Sequence, residues 1–168
     1  MTSITITHIT KFISLVLLQV LICNHINFLG YINPYIYIIF ILLYPVSTNR
    51  LLFLFLSFLL GLLIDSFSDS GGVHAAAAVS LAYIRPVFLK TAFKVLYEHH
   101  NIKIANTDIG SLITYIVFGT FLHHLILFSL EVFNITNLLL ILKKTLFSGV
   151  FTIILSLLLI IIFSRDKK

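Results

Sequence analysis

The chain has 168 residues, of which 60% are hydrophobic and only 10% charged, with a mean hydropathy of +1.11. A soluble domain carries about 25% charged residues, so this composition excludes a soluble fold and points to an all-α integral membrane protein. The net charge of +5 is spread over the ends of apolar segments and forms no patch, which is the pattern of topogenic charge and argues against nucleic-acid binding.

A helix needs about 20 residues to cross the hydrocarbon core, with a range of roughly 17–25. By that measure six spans are expected, over residues 12–29, 31–47, 51–67, 72–89, 110–131 and 138–163, within one membrane domain covering 1–168. The first begins after Lys11 in the manner of a signal peptide. No small-residue cleavage site follows, so it reads as an uncleaved span. It carries Gln19, Cys23, Asn24, His25 and Asn27 toward its end, which either line a cavity or leave the membrane. Cys23 is the single cysteine; it excludes an intramolecular disulfide or a CxxC motif and reads as a small apolar filler.

The second span, "YINPYIYIIFILLYPV", is the weakest, because Pro34 and Pro45 leave only a short helix between them. It reads as tilted, shallow or broken. Charge supports its crossing. With six spans and the N-terminus inside, Lys11, Arg50, Arg85, Lys90, Lys94, Lys103, Arg165, Lys167 and Lys168 are cytoplasmic, and only Lys143 and Lys144 lie outside. Were span two not to cross, either "SRDKK" or "RPVFLKTAFK" would violate the positive-inside rule. Loop 90–109 reads as a solvated connection, with an alternative amphipathic stub placing Phe93, Leu96 and Tyr97 opposite Lys90, Lys94 and Glu98. The stretch "NITNLLLIL" is expected along the outer interface, with the last helix crossing from about Thr145.

Spans three and four carry the most informative polar residues. Ser57, Gly61 and Asp65 share one helix face, and so do Gly72, Ala76 and Ser80; His74, Ala78 and Ala82 form the adjoining stripe. Small residues at this spacing let two helices approach closely in lipid, and Gly71 and Gly72 suit a sharp turn between them. For Asp65 three readings stand: a carboxylate pinning the hairpin by accepting N–H bonds at the start of span four, a solvated outer residue, or a proton or ligand site.

The adjacent pairs His99/His100 and His123/His124 point about 100° apart on a helix and make no chelating face. No metal and no cofactor is expected. His124 and Glu131 lie two turns apart on one face of span five, a partner or cavity face, with helix-end solvation the competing account for Glu131. Thr145, Gly149, Thr152 and Ser156 form a small-residue seam on span six that reads as helix packing. No Ser/His/Asp arrangement, phosphate loop or paired carboxylate with a base occurs, so the chain does not read as an enzyme.

Gly61, Asp65, Gly72, His74, Ala75, Tyr83 and Arg85 stand in the stretch "GLLIDSFSDSGGVHAAAAVSLAYIRP". This stretch resembles the MreD family of bacterial rod shape-determining proteins. The likeness extends more loosely through "HHLILFSLE" and "TLFSGVFTIILSLLL". It implies a non-enzymatic component of the cell-elongation machinery in the inner membrane, with both termini cytoplasmic. The implied partners are an MreC-like scaffold, an MreB-like filament protein and the wall-synthesis glycosyltransferase and transpeptidase. The fold it implies is similar to the substrate-binding subunits of energy-coupling-factor vitamin transporters, which makes a small-molecule-binding subunit the alternative. The absence of Trp and the small-residue seams favour helix–helix contact with a partner's single transmembrane helix over a vitamin pocket.

Overall fold

The computed structural model describes residues 2–30, 32–93, 104 and 107–164. Among them the chain is helical, with no strand beyond one isolated bridge between Phe28 and Ile32. Six α-helices follow in order: α1 (Thr2–Leu21), α2 (Ile38–Leu43), α3 (Arg50–Ser68), α4 (Val73–Phe93), α5 (Ile109–Val132) and α6 (Leu138–Ser164). All but α2 are long and apolar enough to cross a membrane, the first such stretch being Ile6–His25. Helix α3 packs along α4, α4 along α5, α5 along α6, and α1 against α3. The outward faces are apolar, as with Ile6, Ile9, Ile13 and Leu17 on α1 and Leu146, Val150, Ile154 and Leu158 on α6, as a lipid environment requires.

Helix ends are set by ordinary capping chemistry. Asn49 Oδ1 accepts the N–H groups of Leu51 and Leu52 at 2.8 and 3.4 Å, starting α3. Asp108 accepts from Ser111 N at 2.8 Å to start α5, and that bond holds its carboxyl below its ordinary value. Asp69 adopts the left-handed conformation, φ 50°, and closes α3.

The second expected span is broken, with the short helix between Pro34 and Pro45 that the sequence implied, and not a helix over the whole expected range. Over 32–47 only Ile38–Leu43 is helical, yet the segment is deeply buried, with Tyr37, Ile38 and Ile41 fully inaccessible. It runs antiparallel to α1 through the interior. Pro34 bonds to Gln19, the Phe40 ring meets Phe12, and the Tyr44 ring meets His8. The chain therefore traverses the bundle here with largely irregular backbone. Irregular backbone at membrane depth is tolerated only inside protein, where its polar groups find partners.

Those partners are polar side chains of the surrounding helices. Gln19 donates to Pro34 O at 3.0 Å and accepts from Tyr37 N at 3.4 Å, and Thr152 Oγ1 accepts from Tyr35 N at 2.9 Å. At the far end Arg85 donates to Leu42 O at 3.2 Å, to the Tyr44 carbonyl, and to Tyr115 Oη at 2.9 Å. Tyr115 in turn donates to Leu42 O at 2.9 Å.

Three further expectations change. Arg85 is not a helix-end topogenic charge: α4 continues through Pro86 to Phe93, and Arg85 is only 3% exposed, its guanidinium serving the last carbonyls of α2. Helix α1 begins well before residue 12 and ends at Leu21, where a 3-10 turn over Cys23–His25 takes over. Helix α6 is continuous from Leu138, so Lys143 and Lys144 lie inside it. The amphipathic stub with Lys94, Leu96, Tyr97 and Glu98 lies outside the described residues, as do Lys103, Arg165, Lys167 and Lys168.

Candidate functional site

The α3–α4 hairpin is closed by one carboxylate. Asp65, 5% exposed, accepts His74 N at 3.0 Å through Oδ1 and Ala75 N at 2.8 Å through Oδ2. Ser70 Oγ donates to Oδ1 at 2.6 Å. The carboxylate thus satisfies orphan N–H groups in the first turn of α4, where the helix dipole also favours negative charge. Gly71 and Gly72 between them have φ of +67° and +96°, conformations that glycine adopts without strain.

Gly61 lies one turn below. A Cβ there would sit 2.5 Å from both Ala75 Cα and His74 O, so the two backbones touch only because the side chain is absent. Ser57 continues this face, fully buried and bonded to Phe53 O at 2.8 Å. The α4 side of the contact differs in register from the expected Gly72/Ala76/Ser80 stripe. Ala76 is exposed and Ser80 half-buried, whereas His74, Ala75, Ala78 and Ala82 are buried. The reason is that α4 is covered by α2, α3 and α5 together, and only the Ala76 side is left facing outward.

A chain of polar side chains leads inward from the hairpin. Tyr37 Oη lies 3.0 Å from His74 Nδ1 and 2.7 Å from His123 Nε2. His123 Nδ1 lies 3.5 Å from His124 Nδ1, and His124 Nδ1 lies 2.9 Å from Thr120 O. His124 Nε2 is 3.1 Å from Thr152 Oγ1. All of these side chains are buried.

The bond directions follow from the carbonyl at one end, which only accepts. His124 Nδ1 therefore carries the proton, and Nε2 accepts from the Thr152 hydroxyl. Two N–H groups facing each other would repel, so His123 Nδ1 holds a lone pair and its Nε2–H donates to Tyr37. Tyr37 then donates to His74 Nδ1, and His74 is left with Nε2–H.

His74 also lines an open cleft of about 490 Å³ at the hairpin end of the bundle, with Asn24, Asn33, Tyr35, Asp69, Val73 and Glu131 among its walls. Glu131 pairs with Lys144 at 2.7 Å, the carboxylate side chain remaining 42% exposed. The buried His124 and rim-exposed Glu131 therefore occupy different depths, joined through Phe128, whose ring meets His124 at 5.8 Å and Lys144 at 5.5 Å. Thr145, Gly149, Thr152 and Ser156 all face inward from α6. Of them Thr152 bridges His124 and Tyr35, while Thr145, Ser156, Ser148 and Thr120 hydroxyls have no partner among the described residues. A Cβ on Gly149 would meet nothing within 4 Å, so this glycine is not a close-approach point.

Reading the sequence singled out Asp65, Gly61, His74, His124 and Thr152, and the structure brings the last three to one network. It missed Tyr37, His123, Tyr115 and the inward role of Arg85. A signal was present: two prolines in a predicted span imply unpaired backbone groups, and Gln19 and Arg85 were the polar residues able to reach them. Among the described residues, no group of three or more His, Cys, Asp or Glu is placed to hold a metal ion. Comparison with known proteins gave no matching family model, no matching curated protein and no matching solved structure.

Proposed function

We propose that this chain is a non-enzymatic, multi-pass inner-membrane component of the cell-elongation machinery, of the MreD kind, which binds an MreC-like scaffold and helps organise lateral wall synthesis. The observation that carries the reading is the α3–α4 hairpin. Most of the residues on which the resemblance rests, though not Tyr83 or Arg85, lock it: Asp65 on the N–H groups of His74 and Ala75, Gly61 against Ala75, and the glycine turn. Such residues make a rigid platform and supply no reactive group. Gly61 and the α6 seam are buried internal supports, so a partner's transmembrane helix would meet the outward apolar faces, such as Ile9, Ile13 and Leu17 of α1. Arg50 and Lys90 lie at the end opposite the cleft, which on the positive-inside rule is cytoplasmic, and the cleft then opens to the periplasm. Depleting the chain from the bacterium that carries it should turn rods into round cells, scored by microscopy. Rods of unchanged width after depletion would contradict the proposal.

A second reading, a membrane subunit that binds a small molecule, is favoured by one observation: the 490 Å³ cleft, which falls in the size range of ligand sites, roughly 300–1,000 Å³.

A further inference from the structure

The end of the bundle opposite the cleft carries cations with no anion to meet them. Arg50 opens α3 and Lys90 stands in the last turn of α4, both exposed and both at the ends of apolar spans. Neither makes an ion pair or a side-chain hydrogen bond among the described residues. Three of the four described carboxylates lie at the other end, Asp65 in the hairpin and Asp69 and Glu131 in the cleft walls. The fourth, Asp108, is turned onto Ser111 N at the start of α5.

The two cations share one face. The Arg50 guanidinium carbon lies 4.9 Å from the centroid of the Tyr83 ring, which brings Arg50 onto the outer side of α4. Tyr83, Val87 and Lys90 follow one another on that side at helical spacing, and all three are exposed. Helical side chains lean toward the N-terminus of their own helix, so Lys90 is carried back along Val87 toward the stacked Arg50. Leu51 and Phe55 add exposed apolar surface on α3.

A cation on a lipid-facing surface is costly without a partner. At the end of a span the anion within reach is the phosphate of a lipid headgroup. Stacking on Tyr83 occupies one face of the guanidinium and leaves its N–H edge free, and that edge is the fork that takes two phosphate oxygens. A zwitterionic headgroup would bring its own ammonium up against Arg50 and Lys90, whereas a net anionic one brings none.

We propose that Arg50 and Lys90 form a headgroup site for an anionic phospholipid of the leaflet at this end, with Arg50 on the phosphate, Lys90 as the second charge and an acyl chain along Val87 and Tyr83. The site is read from charge and exposure, so its failure would leave the partner-binding reading untouched.

The test uses the purified full chain in detergent and two lipids with the same acyl chains, dioleoylphosphatidylglycerol and dioleoylphosphatidylcholine. They are offered together and counted on the protein by native mass spectrometry. Phosphatidylglycerol should be retained at least tenfold over phosphatidylcholine, since each interfacial cation contributes roughly fivefold. Arg50→Gln and Lys90→Gln change exposed side chains, so the fold is kept, and each should lower the preference roughly fivefold. Lys143→Gln removes an exposed cation of α6 toward the cleft end and should leave the preference unchanged. Equal retention of the two lipids, a preference that survives both Arg50→Gln and Lys90→Gln, or an equal loss in Lys143→Gln would each overturn the proposal. Displacement of phosphatidylglycerol by inorganic phosphate would also overturn it, by marking a site for a free anion.

Discussion

Asp65 shows why a carboxylate is retained at the edge of an apolar helix. Its two oxygens take two backbone N–H groups of the next helix and one hydroxyl, so removing it orphans donors that no water can easily reach. Asp65→Ala should cost about 1–3 kcal/mol for each orphaned group. Gly61→Ala, an addition of one methyl, should cost about 1–3 kcal/mol through backbone collision with Ala75 and His74. Thermal unfolding of both variants in detergent checks the pair, and a Gly61→Ala protein as stable as the parent would contradict the close approach. These two residues were legible in the sequence, because a four-residue spacing places Gly61 and Asp65 on one face whatever the rest of the fold. The opposing register was not. Choosing between the Ala76 stripe and the His74/Ala78/Ala82 stripe depends on how many neighbours α4 has, and one strand of text does not hold that information.

Among elements, the segment 34–44 explains several of the polar residues found inside the spans. Gln19, Thr152, Arg85 and Tyr115 come from four different helices and all bond its backbone. They do the work that an unbroken helical ladder would have done internally. The prolines made a short helix legible, but the segment's depth was not, since apolar residues in lipid-facing and buried positions look alike. Arg85 was misplaced for a related reason: the positive-inside rule assigns each basic residue to water, and here its guanidinium lies over the Phe53 ring at 4.9 Å and among carbonyls.

The native Cys23 reports on this element. It is 3% exposed and packs with Ile36 and Ile39. Gln19→Leu removes the bonds to Pro34 O and Tyr37 N, so local opening of the segment should become easier and maleimide labelling of Cys23 should speed up about tenfold or more, since each 1.4 kcal/mol is a factor of ten. Labelling at the parent rate would show that the segment is held by other means.

At the scale of the whole molecule, a composition with 10% charged residues pointed to an all-α membrane protein, and the structure shows helices among the described residues, five of them long and apolar enough to cross a membrane. Five long apolar helices and one buried traverse pack together with many polar side chains buried between them, and an open cleft lies beside the glycine turn. That arrangement suits the platform role proposed above, in which a partner's transmembrane helix meets the outward apolar faces.

The most direct measurement is purification of the tagged chain from its native membrane in mild detergent, with mass spectrometry of what accompanies it. The account predicts a periplasmic MreC-like scaffold together with the wall-synthesis glycosyltransferase and transpeptidase. Recovery of paired ATPase subunits of a transporter, without those proteins, would contradict it.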